Sequence, residues 1–222
     1  MIKITNLTVD DVRFPTSKDL TGSDAIHTDP DYSATYVTIH TSDNNFKGYG
    51  LAFTLGKGND IVAECIKHYF PLIEGLTLDE VEKNIGSLWF NFADHSQLRW
   101  LGPEKGVVHM ALAAVFNALW DIIAKKNKKP LWQFVVESKP ETIMSWLTFK
   151  YIEDVMSKDD AFKILTNNQK FNKERTSKIL QEGYPSYTTA AGWLGYSDEK
   201  IVKLLNEYMS RGWNHFKIKV GL

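Results

Sequence analysis

The last residues of the chain limit its fold more than any other stretch. From His215 to Gly221 the sequence reads His-Phe-Lys-Ile-Lys-Val-Gly. This alternation of apolar and basic residues has the two-residue period of a β-strand. On such a strand Lys217 and Lys219 share one face with His215, while Phe216, Ile218 and Val220 share the other. A Ser-led helical run over 197–211 comes just before and is closed by Gly212. Ahead of that, Ser186–Ala191 has the composition of a short strand. Strand, helix and strand in that order predict a right-handed βαβ unit with a parallel pair. A parallel sheet does not stop at two strands, because its faces and both edges would be bare. A complete (β/α)8 barrel takes about 250 residues, and only residues 185–222 follow Tyr184. The pattern predicts the opening of an α/β unit whose barrel is incomplete.

The two lysines have two readings. On a solvated edge strand they need no function, since Lys at an edge also blocks unwanted pairing. At the C-terminal mouth of a barrel strand they would stand where such folds keep their chemistry. Two ammonium groups held close together disfavour each other's charge, which makes one of them a base.

The rest of the chain reads differently. Residues 2–14 alternate loosely as a first strand, 32–41 form a second, and the turn Ser42-Asp43-Asn44-Asn45 leads into a third over 46–54. These predict a three-stranded antiparallel meander. Between the first two, Pro15 to Asp31 shows no period, and a connection of that length is usually functional or disordered. Leu55-Gly56-Lys57-Gly58-Asn59 lacks the full phosphate-binding fingerprint and reads as a strand-to-helix turn. Asn59 is placed to cap a helix that ends at Pro71. Thr77-Leu78-Asp79-Glu80 is a capping box opening the next. A loop over 98–106 leads into a buried helix, 107–125, whose alanines at 111, 113, 114 and 118 allow close packing. His109 on that helix reads as a hydrogen-bonded core histidine, having no partner at metal-ligand spacing. Pro130 restarts a short helix, 131–136. Residues 143–151 read as a strand of uncertain type, and Ser157 and Asn172 lead polar helices that run to Glu182. Trp100 and Trp193 are expected in the core or at a domain interface.

Composition excludes several classes. Lys and Arg number 26 against 27 Asp and Glu, a formal net charge of -1. That balance argues against nucleic acid or an anionic membrane surface as the main partner. Cys65 is the single cysteine, so no internal disulfide and no cysteine metal cluster is expected, and a reducing compartment follows. The most apolar run, Val107 to Ala124, is interrupted by His109, Asn117 and Asp121 and reads as a core helix, not a membrane span. The opening residues contain no signal-peptide core. A cytoplasmic protein is expected, with a mitochondrial address left open.

Several segments together resemble one family. They are residues 11–17 (Asp-Val-Arg-Phe-Pro-Thr-Ser), Ser23-Asp24-Ala25, 27–33, 53–58, Gln97 to His109, Trp193 to Asp198, and Lys217-Ile218-Lys219. In this order they resemble the L-fuconate dehydratases, in the mandelate-racemase-like branch of the enolase superfamily. Enolase-superfamily sites pair a Lys or His base with Mg²⁺.

The resemblance implies an α+β capping domain over 1–140, made of the three-stranded antiparallel meander and a helical bundle. A helical extension over 141–183 follows. Residues 184–222 are then the first β-α-β of a truncated (β/α)8 barrel. It further implies that the loop 15–31 closes over a sugar acid, with Gly22, Ser23, Asp24, Tyr32 and Lys217 as substrate-binding positions. Lys219 would be the base that removes the proton α to the carboxylate, and Lys217 would sit against that carboxylate and lower the pKa of Lys219. An enediolate needs an electrophile, Mg²⁺ in this family. Its carboxylate ligands and the histidine acid come from later strands, so no metal residue is assigned in this chain. The implied reaction takes L-fuconate to 2-keto-3-deoxy-L-fuconate.

Two hypotheses follow. The chain is an N-terminal portion of a dehydratase, inactive alone, or it is a non-catalytic capping-domain fragment that binds a partner chain supplying the rest of the barrel. Besides the sugar acid, neither nucleic acid nor a membrane is expected as a partner, and a homo-oligomer is expected from the family's habit of assembling.

Overall fold

A computed structural model of the 222-residue chain describes all residues except Pro103, Lys105 and Leu222, with the side chain of Arg99 also outside the description. The chain forms two compact units, one of residues Met1–Asp10, Thr35–Ala52 and Asp60–Glu182, the other of Asp11–Ala34, Phe53–Asn59 and Gly183–Leu222.

The first unit carries most of the antiparallel meander. Strands β1 (Ile4–Arg13), β2 (Ser33–Thr41) and β3 (Lys47–Thr54) lie in the order β1-β2-β3. A short turn over 42–46 joins β2 to β3, while the longer segment 14–32 connects β1 to β2, and consecutive strands lie side by side. The β2–β3 turn is set by Asp43, whose side chain accepts from the backbone N–H of Asn45 at 3.0 Å while its carbonyl accepts from Phe46 at 2.9 Å. Val37 and Ile39 on β2 turn inward and are buried, following the alternation of the strand.

Helices α1 (Asn59–Tyr69), α2 (Leu78–Ala93) and α3 (Val107–Lys126) follow. The predicted capping box is present: Thr77 Oγ1 accepts from the Glu80 N–H, and Glu80 accepts from the Thr77 N–H at 2.8 Å. Such a cap satisfies N–H groups that the first turn of a helix leaves unpaired. Helix α3 is the axis of this unit. Ala111, Leu112, Ala114, Val115, Ala118, Leu119, Ile122 and Ile123 are all fully buried along it. It is long and apolar enough to cross a membrane by length and composition, yet most of it is buried in this core. The small residues act at close range. A Cβ on Gly48 or Gly50 would stand 2.1 Å from the backbone oxygen of Ala118 or Ala114, respectively, so β3 lies against α3 with no room for a side chain.

Four shorter helices complete the unit: α4 (Leu131–Glu137), α5 (Pro140–Trp146), α6 (Lys158–Gln169) and α7 (Asn172–Glu182). Ser157 caps α6 through the Asp160 N–H. The strand reading of 143–151 is overturned, since 140–146 is helical with proline at its first position, where the missing N–H costs nothing. Trp100 is 77% exposed, contrary to a core role; its indole N–H reaches the Gln97 carbonyl at 2.8 Å, so it is satisfied by its own turn. The loop expected over 98–106 contains a short 3-10 helix, Arg99–Leu101, and part of it, Pro103 and Lys105, lies outside the described residues. His109 departs from its expected hydrogen bonding at one ring nitrogen. Its Nδ1 is buried without a partner among the described residues, and its ring packs edge-on to Trp89 at 6.0 Å between centroids.

The second unit is built from loops and one helix. The segment after β1, read as unstructured, instead has a 3-10 turn at Thr16–Asp19 and is held by polar bonds: Thr16 Oγ1 donates to Pro30 O at 2.7 Å, and Asp31 Oδ1 accepts from the Ser17 N–H at 3.1 Å. Aperiodic sequence carries no signal for such pairings, which close over distance along the chain. Asn59 is the first residue of α1, not its cap; its buried amide accepts from Thr54 and donates to Asp11 at 2.6 Å. The turn at Gly56 and Gly58 joins β3 to α1 as expected.

Helix α8 (Asp198–Ser210) is capped by Ser197 through the Lys200 N–H. The flanking strands are reduced to one isolated parallel bridge, Thr188 to Phe216. Three backbone bonds accompany it: Thr188 N–H to His215 O at 3.1 Å, Lys217 N–H to Thr188 O at 2.9 Å and Lys219 N–H to Gly192 O at 2.7 Å. The parallel register is as predicted, while the extended ladder is not. A parallel pair gains little without strands on either side, and Ile218 and Val220 accordingly stay 48% and 84% exposed.

Candidate active site

The residues singled out in the sequence, Gly22, Ser23, Asp24, Tyr32, Lys217 and Lys219, all belong to the second unit. The loop after β1 is bonded to the segment 192–200, Lys219 meets that loop at Asp24, and Lys217 lies instead by Tyr187 and Thr188.

Gly22 makes the turn. Its φ is +90°, a conformation open to glycine, and a Cβ there would fall 2.4 Å from the Tyr32 ring. The next residue, Ser23, is buried, with its Oγ accepting from the Gly195 N–H at 2.8 Å and its carbonyl from the Leu194 N–H at 3.2 Å. Two further bonds flank this pair: Thr21 Oγ1 meets the Tyr196 hydroxyl at 2.6 Å, and Lys200 Nζ donates to Asp19 O at 3.1 Å. Serine and threonine hydroxyls that satisfy buried backbone groups hold a loop in one geometry.

Asp24 is the charged centre. Its Oδ1 accepts from the His27 N–H at 2.7 Å, the Ile26 N–H at 3.0 Å and the His27 ring Nδ1 at 3.1 Å, the last in the tautomer that carries its proton there. Those donors, the His27 backbone N–H foremost, hold its carboxyl down from 3.8 to about 2. Asp24 Oδ2 faces Lys219, 3.9 Å from its ammonium. Lys219 also lies 5.8 Å from the centroid of Trp193, within reach of a cation–π attraction. Lys217 has another neighbour, the ring of Tyr187 at 5.7 Å.

Tyr32 stands between aromatic rings, edge-on to Phe53 at 5.0 Å and to Trp193 at 6.0 Å. Burial, and then the negative charge of Asp24, push its phenol up, so it stays a neutral hydroxyl. Gly22, Asp24, Tyr32, Trp193 and Lys219 are thus linked by pairwise contacts.

Mg²⁺ does not fit these residues. Asp24 is the only carboxylate within ion-pair distance of Lys219 among the described residues, and one of its oxygens is already taken by three N–H groups. No three His, Cys, Asp or Glu side chains among the described residues converge as a metal site, whereas Mg²⁺ asks for octahedral oxygen ligands.

Sequence reasoning named Asp24 but missed its anchor. The signal was present: Asp followed by a residue whose backbone N–H lies two or three positions on is the pattern of an Asx turn. The bonds from Thr21, Ser23 and Asp19 to 194–200 had no such signal, because nothing in either segment marks the other.

Comparison with known proteins bears on this geometry. The pattern of the mandelate racemase / muconate lactonizing enzyme N-terminal domain matches residues 20–135. Mitochondrial enolase superfamily member 1 of Xenopus laevis is 47% identical over 99% of this chain and 49% of its own length. L-galactonate dehydratase of Hypocrea jecorina is 43% identical over 99% of the chain and 49% of its own length. The crystal structure of human mitochondrial enolase superfamily member 1 superposes with a TM-score of 0.93 at 44% identity, covering 99% of this chain and 50% of that one. L-talarate/galactarate dehydratase from Salmonella typhimurium, liganded with Mg and L-lyxarohydroxamate, shares the fold alone, with a TM-score of 0.62 at 15% identity over 99% of this chain and 44% of that one. The chain spans about half the length of the curated relatives it matches.

Proposed function

Because the chain belongs to the mandelate racemase / muconate lactonizing enzyme family of the enolase superfamily, we propose that it serves the dehydration of a sugar acid, with L-fuconate as the substrate and 2-keto-3-deoxy-L-fuconate as the product. One observation carries this reading. Lys219 is placed beside Asp24, in a unit that also holds Gly22, Ser23 and Tyr32. In this reading Lys219 takes the proton α to the substrate carboxylate, Lys217 faces that carboxylate, and Asp24 and Tyr32 meet the sugar hydroxyls. Removing that proton requires Lys219 to be a free amine, so the substrate must loosen its pair with Asp24. An L-galactonate dehydratase among the relatives supports the reaction class. Mg²⁺ belongs to the proposal only as a metal held by carboxylates beyond these 222 residues, and no step here runs through it. Residues 184–222 are, in the same reading, the start of the catalytic barrel. The compartment is read as cytoplasmic, while the mitochondrial relatives keep the organelle in play.

The test is formation of a 2-keto-3-deoxy acid from L-fuconate and L-galactonate with Mg²⁺, using this chain and Lys219→Ala. Turnover that disappears in the variant supports the role of Lys219; turnover that survives overturns it. A second reading has its own observation. The single bridge Thr188–Phe216 is the only parallel pairing among the described residues, and a pair that short calls for further strands, which a partner chain would supply. A chain without turnover alone fits both readings, and turnover gained on adding a separate chain that carries the rest of the barrel supports this one.

A further inference from the structure

We propose that Asp121 and Lys125 guard the open edge of β3 and keep it from pairing with a second copy of this chain. In the sheet order β1-β2-β3, β3 is an edge strand among the described residues. Such a strand presents a row of backbone N–H and C=O groups to any strand that comes near. Two of those groups are taken by side chains of α3. The Tyr49 N–H donates to Asp121 Oδ2 at 2.8 Å, and the Lys47 carbonyl accepts from Lys125 Nζ at 2.9 Å. These two groups flank Gly48. A residue on a neighbouring parallel strand would take up the same two, one with its own C=O and the other with its N–H. Asp121 supplies that acceptor and Lys125 that donor, so the pair stands in for one residue of a fourth strand.

Several contacts hold the pair in place. Asp121 and Lys125 are four residues apart on α3 and so share a helix face. Their charged ends meet at 2.5 Å, on the same Asp121 oxygen that the Tyr49 N–H uses. Lys125 also lies 4.2 Å from the centroid of the Tyr49 ring, a cation–π distance. Gly48 and Gly50, which leave no room for a Cβ beside Ala118 and Ala114, bring the strand close enough for side chains one turn further along α3 to reach its edge. Tyr49 and Leu51 on this strand are 54% and 39% exposed. An exposed apolar edge without a guard is a pairing surface. This role is independent of the dehydratase reading.

The test follows amide exchange by NMR and association by sedimentation velocity on the intact chain. In the parent, the Tyr49 N–H should exchange slowly for an edge-strand amide, at a rate independent of protein concentration. Asp121→Ala should speed that exchange in dilute solution by about ten- to a hundred-fold, the scale of a hydrogen bond to a charged acceptor. Ile122 and Ile123 of α3 should stay unchanged. Asp121→Asn keeps a side-chain oxygen as acceptor and should retain most of the protection. Asp121→Ala combined with Lys125→Ala should form species heavier than the parent as concentration rises, with the Tyr49 amide protected again. Adding Tyr49→Pro to that pair removes the N–H and should restore the parent's sedimentation. Equal Tyr49 exchange in the parent and Asp121→Ala, exchange that also rises along α3, or a double variant that sediments like the parent at every concentration overturns the proposal.

Discussion

The two units are held by different physics. In the first, the buried face of α3 and the sheet form a continuous apolar core, from Ile4 and Ile39 to Leu112, Leu119 and Ile123. Its order comes from area removed from water. In the second, the fully buried side chains are few, among them Ser23, Asn59 and Ala191, and order comes from individual hydrogen bonds between segments far apart in sequence. The loss of a core side chain is felt across many packed neighbours; the loss of a single pinning bond costs less and stays within its loop. The candidate chemistry sits in the second kind of structure, as catalytic groups commonly do when a scaffold carries the stability.

Predictions follow from that contrast, the largest first. Leu119→Ala should cost about 2–5 kcal/mol, the usual price of a core leucine whose cavity does not collapse, and a urea melt checks it. A loss below about 1 kcal/mol would mean that the α3 core repacks freely. Ser23→Ala should cost about 1–3 kcal/mol, because the Gly195 N–H loses its acceptor. Its amide-exchange changes should be confined to 19–24 and 192–200; changes spread along α3 would break the distinction between the units. Thr77→Ala should remove the capping box of α2 at about 0.5–2 kcal/mol, seen as a lowered melting temperature with the loop over 15–31 unaffected.

The smallest effect concerns pH. Asp24 is depressed to about 2 from 3.8, so its contribution to loop order is complete above the ordinary carboxylate value. It is lost as pH falls from about 4 through about 2, since the unfolded form takes up the proton first. Titration of the Asp24 carboxyl carbon by NMR should give a midpoint near 2 in the parent and a higher one in His27→Ala. A midpoint near 3.8 in the parent would mean that the three donors do not hold the carboxylate.

Periodicity and caps were legible wherever a structure is decided by neighbours in sequence. The meander, the capping box at Thr77, the Ser157 and Ser197 caps of α6 and α8 and the buried run of α3 follow from alternation, side-chain oxygens near free N–H groups, and apolar spacing. Residues 143–151 misled because a short apolar run fits a strand or a helix equally well, and Pro140 decided for the helix. Of the candidate site, Gly22, Asp24, Tyr32 and the paired lysines came from the sequence and its family likeness, but their mutual geometry did not.

By itself the sequence determined the three-stranded meander, the starts of α2, α6 and α8, the buried run of α3 and the parallel sense of the Thr188–Phe216 pair, since all of this depends on local patterns of a few residues. Only the tertiary structure decided that Ser23 meets Gly195, that the His27 N–H meets Asp24 and that Asp24 lies within ion-pair distance of Lys219. Those pairings depend on where loops close in space, and single hydrogen bonds between distant segments leave no period for a sequence to show.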